Sequence, residues 1–233
     1  YVMGRTVWDS ACTEQIRPNR NYYHCDETIR PSFYDKQWSW KDARPHSILL
    51  AQGHYPIKGL HLLLEALPLV LARFPDTILT VAGQSPLATS HHTPYSRYIA
   101  RLIKTFGLRD AVNFVGPQTE TQMVALYQAS NVLVCPSTIE NSPNSVAEAM
   151  LLGAPVVAAN VGGVPDIISH GVDGYTYQSD APYMLAHWIN TVFESPSHAT
   201  NIGARARARA IARHDPERNA RRTVQIYSDI LHP

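Results

Sequence analysis

From Ser47 onward the sequence repeats one pattern, in which a short apolar run is followed by a loop and then by a helical stretch. The first helical stretch has leucines at positions 60, 63, 64, 67 and 71, the three- and four-residue spacing of one apolar helix face. Strands that alternate with helices of this length form a parallel sheet covered on both faces. Because such crossovers are right-handed, the sequence predicts a doubly wound α/β fold.

Individual elements can be placed along this pattern. Strands are predicted at residues 47–52, 77–83, 111–115, 131–135, 155–159 and 174–177, and helices at 58–74, 95–106, 120–129, 145–152, 182–193, 199–213 and 216–231. Pro68 is expected to bend or restart the first helix. Ligands of doubly wound sheets bind beyond the carboxyl ends of the strands. We therefore expect functional residues in the loops at 53–57, 83–94, 116–119, 136–144 and 160–165.

Composition narrows the class of protein. Hydrophobic residues make up 45% of the 233, enough for one sizeable core. Lys and Arg number 20 against 19 Asp and Glu, so no strong positive field favours nucleic acid or an anionic membrane. The three cysteines form no CxxC pair, which indicates a reducing, cytoplasmic environment. No apolar run approaches the roughly 20 residues that span a bilayer.

Residues 1–44 lack this rhythm and are rich in polar and aromatic side chains. We interpret them as the end of a preceding domain and a linker. An irregular extension packed on the same domain is an equally good interpretation.

The segment from Pro136 to Met150 carries the clearest chemistry. It follows a strand, opens a helix, and has Glu140 and Glu148 separated by seven residues. With Asn144 or Ser145 as the N-cap, the amides of residues 144–147 would point out of the helix and form an anion site suited to a diphosphate. Glu148 could then accept hydrogen bonds from a ribose, and Glu140 from a sugar. On spacing alone, a capping box between Ser145 and Glu148 is the better-supported alternative.

Several motifs in this order resemble one family. The Glu140–Glu148 pair is similar to the Glu-x7-Glu signature of retaining glycosyltransferases with the GT-B fold, family 4. The segments at 55–60, 113–116, 129–137 and 153–166 match that family in order and spacing. The resemblance implies a Rossmann-like donor-binding domain at 45–213 and a last helix, 214–233, that docks on the N-terminal side. It also implies that residues 1–44 are a remnant of the acceptor-binding domain, which is otherwise absent.

The resemblance also implies a role for individual residues. Lys58 would contact the donor diphosphate and stabilise the leaving group, Glu140 would hold the donor sugar, and both are expected to be catalytic. Glu148 would bind the ribose, and Gly116 would lie near the base. The full expected donor-binding set is Gly53, His54, Lys58, Gly116, Glu140, Asn141, Ser142, Asn144, Ser145 and Glu148.

Two positions depart from the family pattern. The family carries an arginine a few residues before the lysine, and here residues 53–56 contain none. His54 could replace part of that charge only if its pKa were raised. Asn141 stands where the family has a glycine just after the first glutamate.

Other signals are assigned to surface or packing. Residues 23–27 and the pair His91–His92 offer metal-ligand side chains, but neither has a second cluster at matching spacing, so no metal site is expected. Arg205, Arg209 and Arg213 would share one helix face, interpreted as a solvated or domain-docking stripe. Nucleic acid is not an expected partner.

The predicted partners are a nucleotide sugar, used as substrate with no separate cofactor, and an unidentified carbohydrate or lipid-linked acceptor. A peripheral membrane contact is the weaker expectation. The main hypothesis is a retaining glycosyltransferase. A non-catalytic nucleotide-sugar-binding or scaffold module is the alternative, since half a cleft cannot hold two reactants together. A GT-B epimerase or phosphorylase is a third option.

Overall fold

The apolar runs form a parallel sheet in this computed structural model, which describes residues 1–87 and 93–232. Its strands are β3 (Ser47–Leu50), β4 (Ile78–Ala82), β5 (Val112–Gly116), β6 (Val132–Cys135), β7 (Val156–Ala159) and β8 (Tyr175–Tyr177). The six strands lie in the order β5-β4-β3-β6-β7-β8, and every neighbouring pair is parallel. The chain therefore runs outward from β3 in one direction and from β6 in the other, which makes the β3–β6 boundary the switch point of the sheet.

Helices cover both faces of this sheet. They are α3 (Leu60–Leu71), α4 (Pro94–Thr105), α5 (Glu120–Gln128), α6 (Asn144–Leu152), α7 (Val164–Ile167), α8 (Pro182–Glu194), α9 (Pro196–Arg213) and α10 (Pro216–Leu231). Ile48 and Leu50 of β3 pack in the cluster formed with α3, α4 and α8. Leu49, between them, points the other way and packs with α5, α6 and α9. This alternation confirms the doubly wound α/β fold.

The first helix differs from the prediction in two ways. It begins at Leu60 rather than Lys58, because residues Pro56–Lys58 form a 3₁₀ turn that ends at Gly59 with φ of 72°. Pro68 lies inside α3 without restarting it. A side chain at Gly59 would meet the carbonyl oxygen of Pro136 at 1.9 Å, so this glycine allows the turn to lie against the loop after β6.

Residues 1–44 contain elements that were not predicted. A small parallel pair, β1 (Val2–Gly4) and β2 (Tyr22–His24), flanks α1 (Val7–Ile16), and α2 (Ser32–Asp35) follows. No residue of α1 is buried, so the helix has no apolar face that could produce a period in the sequence. A capping box between Thr6 and Asp9 begins it instead.

The second part of this N-terminal segment packs on the sheet domain. Phe33 and Trp38 are buried in the same cluster as α6. The backbone N–H of Trp38 donates to the carbonyl of Leu152 at 2.7 Å, and its indole N–H donates to the carbonyl of Ser130 at 2.8 Å. Within residues 1–87 and 93–232, no helix is both long and apolar enough to cross a membrane.

Candidate functional site

A hollow of about 510 Å³ opens at the switch point of the sheet. Its walls come from the loops that leave β3, β4, β5 and β6 and from the start of α6, together with one side chain of the N-terminal segment, Arg30. Six of the ten predicted donor-binding residues line it: Lys58, Glu140, Ser142, Asn144, Ser145 and Glu148. The fold thus brings together residues from two loops that are 82 positions apart in sequence.

Lys58 and Glu140 form an ion pair in this hollow. The Nζ atom of Lys58 donates to Oε1 of Glu140 at 2.6 Å, and the two side chains are 25% and 12% exposed. The turn at Gly59 brings the lysine to this position, and the backbone N–H of Thr138 donates to the carbonyl of Ile57 at 2.9 Å, which joins the two loops. Because an ammonium has three protons, Lys58 keeps donors for a second acceptor.

The start of α6 differs from the expected N-cap. Pro143 is the cap residue, not Asn144 or Ser145, and no side chain caps the helix. The amides of Val146 and Ala147 donate to the carbonyl of Pro143 at 3.0 and 3.2 Å. The proposed row of free amides at 144–147 is therefore shorter than predicted. Among the described residues, only the amides of Asn144 and Ser145 in that row have no hydrogen-bond acceptor.

Glu148 is buried on the wall of the hollow, one turn into α6. Its Oε1 accepts from Nε and Nη2 of Arg30 at 3.1 and 2.6 Å, and its Oε2 accepts from the Tyr127 hydroxyl at 2.9 Å. Glu148 does not fold back on Ser145, so the capping-box alternative is wrong. Burial raises the pKa of Glu148, while Arg30 and Tyr127 act to lower it.

Arg30 is a charged lining residue of the hollow that the sequence did not indicate. It lines the hollow but lies in the stretch between β2 and α2, which has no periodicity and was interpreted as linker. Its pairing with Glu148, 118 positions away, has no local sequence signal.

Four predicted residues do not line this hollow. Gly53 is buried, and a side chain there would meet Val81 and Leu60. His54 lies on a neighbouring hollow with Tyr55 and Tyr95. Gly116 ends β5 at φ of 72°. Asn141 faces α1 instead, where its Oδ1 accepts from the Thr6 hydroxyl at 2.5 Å and its Nδ2 donates to Asp9 at 2.9 Å.

His54 does not replace the missing arginine. Burial lowers its pKa, and the positive charge of Lys58 lowers it further, so the imidazole is neutral near pH 7. Its Nδ1 is buried without a hydrogen-bond partner among the described residues.

Glu27 is a third acid at the start of α6. It accepts from the Ser142 hydroxyl at 2.7 Å, and when the Asn144 amide is oriented with its nitrogen toward Glu27, that nitrogen donates to the two carboxylate oxygens at 3.2 and 3.1 Å. Arg5 pairs with it at 2.7 Å. Two of the predicted diphosphate-binding side chains therefore already have an acidic partner from the N-terminal segment.

The loop after β7 supports the Glu140 loop from behind. Gly162 has φ of 53°, and a Cβ there would lie 1.9 Å from the carbonyl oxygen of Glu140. The amide of Gly163 donates to that same carbonyl at 3.0 Å. The glycine pair at 162–163 thus fixes the backbone that carries Glu140.

Two arginines of the basic stripe of α9 bind other parts of the chain, while the third, Arg205, is exposed. Arg209 donates to Ser169 and Asp173 at 2.5 and 3.0 Å, and Arg213 pairs with Asp26 at 2.8 Å. The expectation of a solvated stripe is therefore wrong for these two residues.

Within the part of the chain that the structure describes, no three His, Cys, Asp or Glu side chains lie together as metal ligands do. His91 and His92 lie outside the described residues. The expected lack of a metal and of a separate cofactor stays a prediction.

The sheet order defines a Rossmann-like α/β domain, and the hollow lies at its switch point, where ligands of such sheets bind. The chain belongs to the family of glycosyl transferases group 1, whose sequence pattern matches residues 35–209. The resemblance to GT-B glycosyltransferases is thereby confirmed.

Individual relatives agree with this assignment. The D-inositol 3-phosphate glycosyltransferase of Corynebacterium urealyticum is 27% identical over 75% of this chain and 41% of that protein. Spore coat protein SA of Bacillus subtilis is 28% identical over 73% of this chain and 45% of that protein. The chain therefore spans less than half the length of these relatives.

Solved structures share the fold. The Anabaena protein Alr3699/HepE, in complex with UDP and glucose, aligns with a TM-score of 0.80 at 23% identity over 99% of this chain and 62% of that one. The C-terminal domain of the group 1 glycosyl transferase LpcC from Francisella tularensis aligns with a TM-score of 0.64 at 20% identity, over 80% of this chain and 95% of that one.

Proposed function

We propose that this chain is the donor-binding part of a retaining glycosyltransferase, which binds a nucleoside-diphosphate sugar and transfers the sugar to a carbohydrate or lipid-linked acceptor. The observation that carries the proposal is the Lys58–Glu140 ion pair, which lies in one hollow with the start of α6 and Glu148. A cation, an anion-binding helix start and two acids are the groups that a sugar, a diphosphate and a ribose require.

In this proposal each group acts on one part of the donor. The ammonium of Lys58 and the amides at the start of α6 stabilise negative charge on the departing diphosphate. Glu140 accepts hydrogen bonds from the sugar, and Glu148 accepts them from the ribose. The reaction needs no metal, because these groups supply the positive charge that a cation would bring, and the protein acts in the cytoplasm.

Calorimetry on the 233-residue chain tests the proposal. UDP, GDP and ADP, each alone and with glucose or mannose attached, are titrated into protein whose fold has been checked by circular dichroism. At least one nucleoside diphosphate and its sugar conjugate are expected to bind. Both should bind more tightly than the corresponding nucleoside monophosphate. A folded sample that binds none of them would remove the proposal.

A second candidate function is a non-catalytic nucleotide-sugar-binding module. Its support is that Lys58, Glu140, Glu148 and the start of α6, the groups assigned to chemistry in the hollow, are all assigned to the donor. Transfer requires donor and acceptor to be held in register, and this sheet domain offers only one wall of such a cleft. Release of nucleoside diphosphate from a bound donor in the presence of acceptor glycans distinguishes the candidates, because a binding module would release none.

A further inference from the structure

The hollow contains a second cation, which comes from outside the sheet domain. Arg30 lies between β2 and α2, and its side chain lines the same wall as Glu148, with 42% of its surface exposed. The turn that carries Lys58 has no arginine of its own. Arg30 is therefore the arginine that lines this hollow, and it reaches the hollow from the N-terminal segment.

One edge of the Arg30 guanidinium is held firmly. Nε and Nη2 donate to Oε1 of Glu148, and the guanidinium carbon lies 4.9 Å from the ring centroid of Phe33, which is fully buried. Glu148 is fixed in turn by Tyr127. A guanidinium has five N–H donors, and two are used here. Within the described residues, Nη1 has no hydrogen-bond acceptor.

The charges around the hollow also indicate that a diphosphate would need a further cation there. Lys58 is balanced by Glu140, and Arg30 by Glu148, so the two pairs leave the wall nearly neutral. His54 adds no charge near pH 7 because its pKa is lowered. A single ammonium that is already shared with Glu140 is a weak counterion for a diphosphate, and the Nη1 group of Arg30 would add a second charged donor.

We propose that Arg30 is the second diphosphate-binding cation of this site, held on Glu148 by one edge and donating to the phosphates through Nη1. This inference rests on the proposed function. Arg30 takes the place of the arginine that is absent before Lys58. It also couples the ribose and diphosphate subsites, because the acid assigned to the ribose is the one that orients the guanidinium.

The competing explanation is that Arg30 only positions Glu148. The two explanations differ for ligands that lack one part of the donor. Inorganic pyrophosphate has no ribose, and uridine has no phosphate. A phosphate contact makes Arg30 matter for pyrophosphate and UDP, whereas an effect exerted only through Glu148 makes it matter equally for uridine and UDP.

The test measures UDP, uridine and inorganic pyrophosphate affinities for the wild-type chain and for Arg30→Gln, by calorimetry or by competition against a bound nucleotide. We expect Arg30→Gln to weaken UDP and pyrophosphate by about tenfold or more and uridine by less than about threefold. The affinities of Arg30→Lys for UDP and pyrophosphate are expected to lie between those of the wild type and of Arg30→Gln. Lysine keeps the positive charge but lacks the several N–H donors of a guanidinium. Arg101→Gln, on α4 outside the hollow, removes the same charge as a matched control and should change none of the three.

Equal losses for UDP and uridine, with pyrophosphate unchanged, would overturn the proposal and leave Arg30 as a positioning residue. If Arg30→Gln fails to fold because Glu148 is left buried without its partner, Glu148→Gln is compared with the double variant Arg30→Gln/Glu148→Gln. The double variant should still bind pyrophosphate more weakly than Glu148→Gln does. Identical affinities would contradict the proposal. A wild-type chain that binds no nucleotide removes the proposed function itself, whereas UDP binding that Arg30 does not influence removes only this inference.

Discussion

Lys58 and Glu140, which lie 82 residues apart in the sequence, form an ion pair of 2.6 Å at the boundary between β3 and β6. The pair joins the cation assigned to the diphosphate with the acid assigned to the sugar. Each partner therefore affects how the other is oriented, and the two roles can be separated only by comparing ligands.

The first prediction separates these roles. Lys58→Met should weaken UDP by about tenfold or more and uridine by less than about twofold, because a hydrogen bond to a charged group contributes about 1.5–3 kcal/mol. Glu140→Gln should keep UDP affinity and weaken UDP-glucose relative to UDP, since only the sugar loses its acceptor. Calorimetry with the three ligands checks both variants. Equal losses of uridine and UDP in Lys58→Met would contradict the diphosphate role.

The second prediction concerns the loop that supports Glu140. Gly162→Ala places a Cβ 1.9 Å from the Glu140 carbonyl oxygen, so the loop must move and donor binding should fall with stability. Gly171→Ala is the matched control: its φ of 73° is also left-handed, but open space surrounds the new Cβ. Both variants carry the backbone cost of about 1–2 kcal/mol. Thermal unfolding should show a lower Tm for Gly162→Ala than for Gly171→Ala, and similar values would argue against this support.

Much of the fold could be predicted because it depends on local pattern. The buried strands are short apolar runs, and α3 has a leucine stripe, so period and length identify them. The N-terminal elements gave no such signal, since α1 buries none of its residues and begins with a polar capping box. Burial against a distant partner, as for Phe33 in α2 against α5 and α6, is a tertiary property that no local period records.

The candidate site shows the same division. Lys58, Glu140 and Glu148 stand at predictable places, after a strand or at a helix start, and the structure brings them to one hollow. Arg30 could not be found because its partner lies on another element with no fixed spacing to it. Asn141 was predicted to lie in the donor site because the local motif does not show its distant partners. Its amide oxygen and nitrogen bond instead to Thr6 and Asp9, at the start of α1.

The third prediction tests the role of Glu148 against that of a helix cap. Since α6 has no side-chain cap, Ser145→Ala should leave the free energy of unfolding within about 0.5 kcal/mol of wild type. Loss of a true cap would cost about 1 kcal/mol. Glu148→Gln should keep most of the stability and weaken both UDP and uridine, because the ribose is common to them. Urea unfolding and calorimetry measure the two effects, and unchanged uridine affinity would speak against ribose binding.

The fourth prediction concerns Asn141, which connects the Glu140 loop to α1. Asn141→Ala leaves the Thr6 hydroxyl and the Asp9 carboxylate each short of one partner. The expected loss in the free energy of unfolding is about 1–3 kcal/mol. UDP affinity should change little, because Asn141 does not line the hollow. A variant of normal stability with tenfold weaker UDP binding would restore Asn141 to the donor site.

The fifth prediction concerns pH and the junction between α9 and α10. His214 is buried there, with its Nδ1 at 2.8 Å from the carbonyl of Glu27 and its Nε2 without a partner in the described part of the chain. Burial lowers its pKa, and the nearby charge of Arg213 acts in the same direction, while Glu27 and Asp26 oppose it. The unfolded chain therefore takes up this proton first as the pH falls through about 6.5.

Stability from His214 is thus fully present above that pH and is lost on acidification, by at most about 1.4 kcal/mol for each pH unit. His214→Asn removes the titrating imidazole and should reduce the decline in the free energy of unfolding between pH 7.5 and 5.5. Some decline should persist, because the pKa values of His54 and His61 are lowered as well. Urea unfolding of both proteins at pH 7.5, 6.5 and 5.5 measures the difference. Parallel curves for the two proteins would show that His214 does not set the acid sensitivity of the fold.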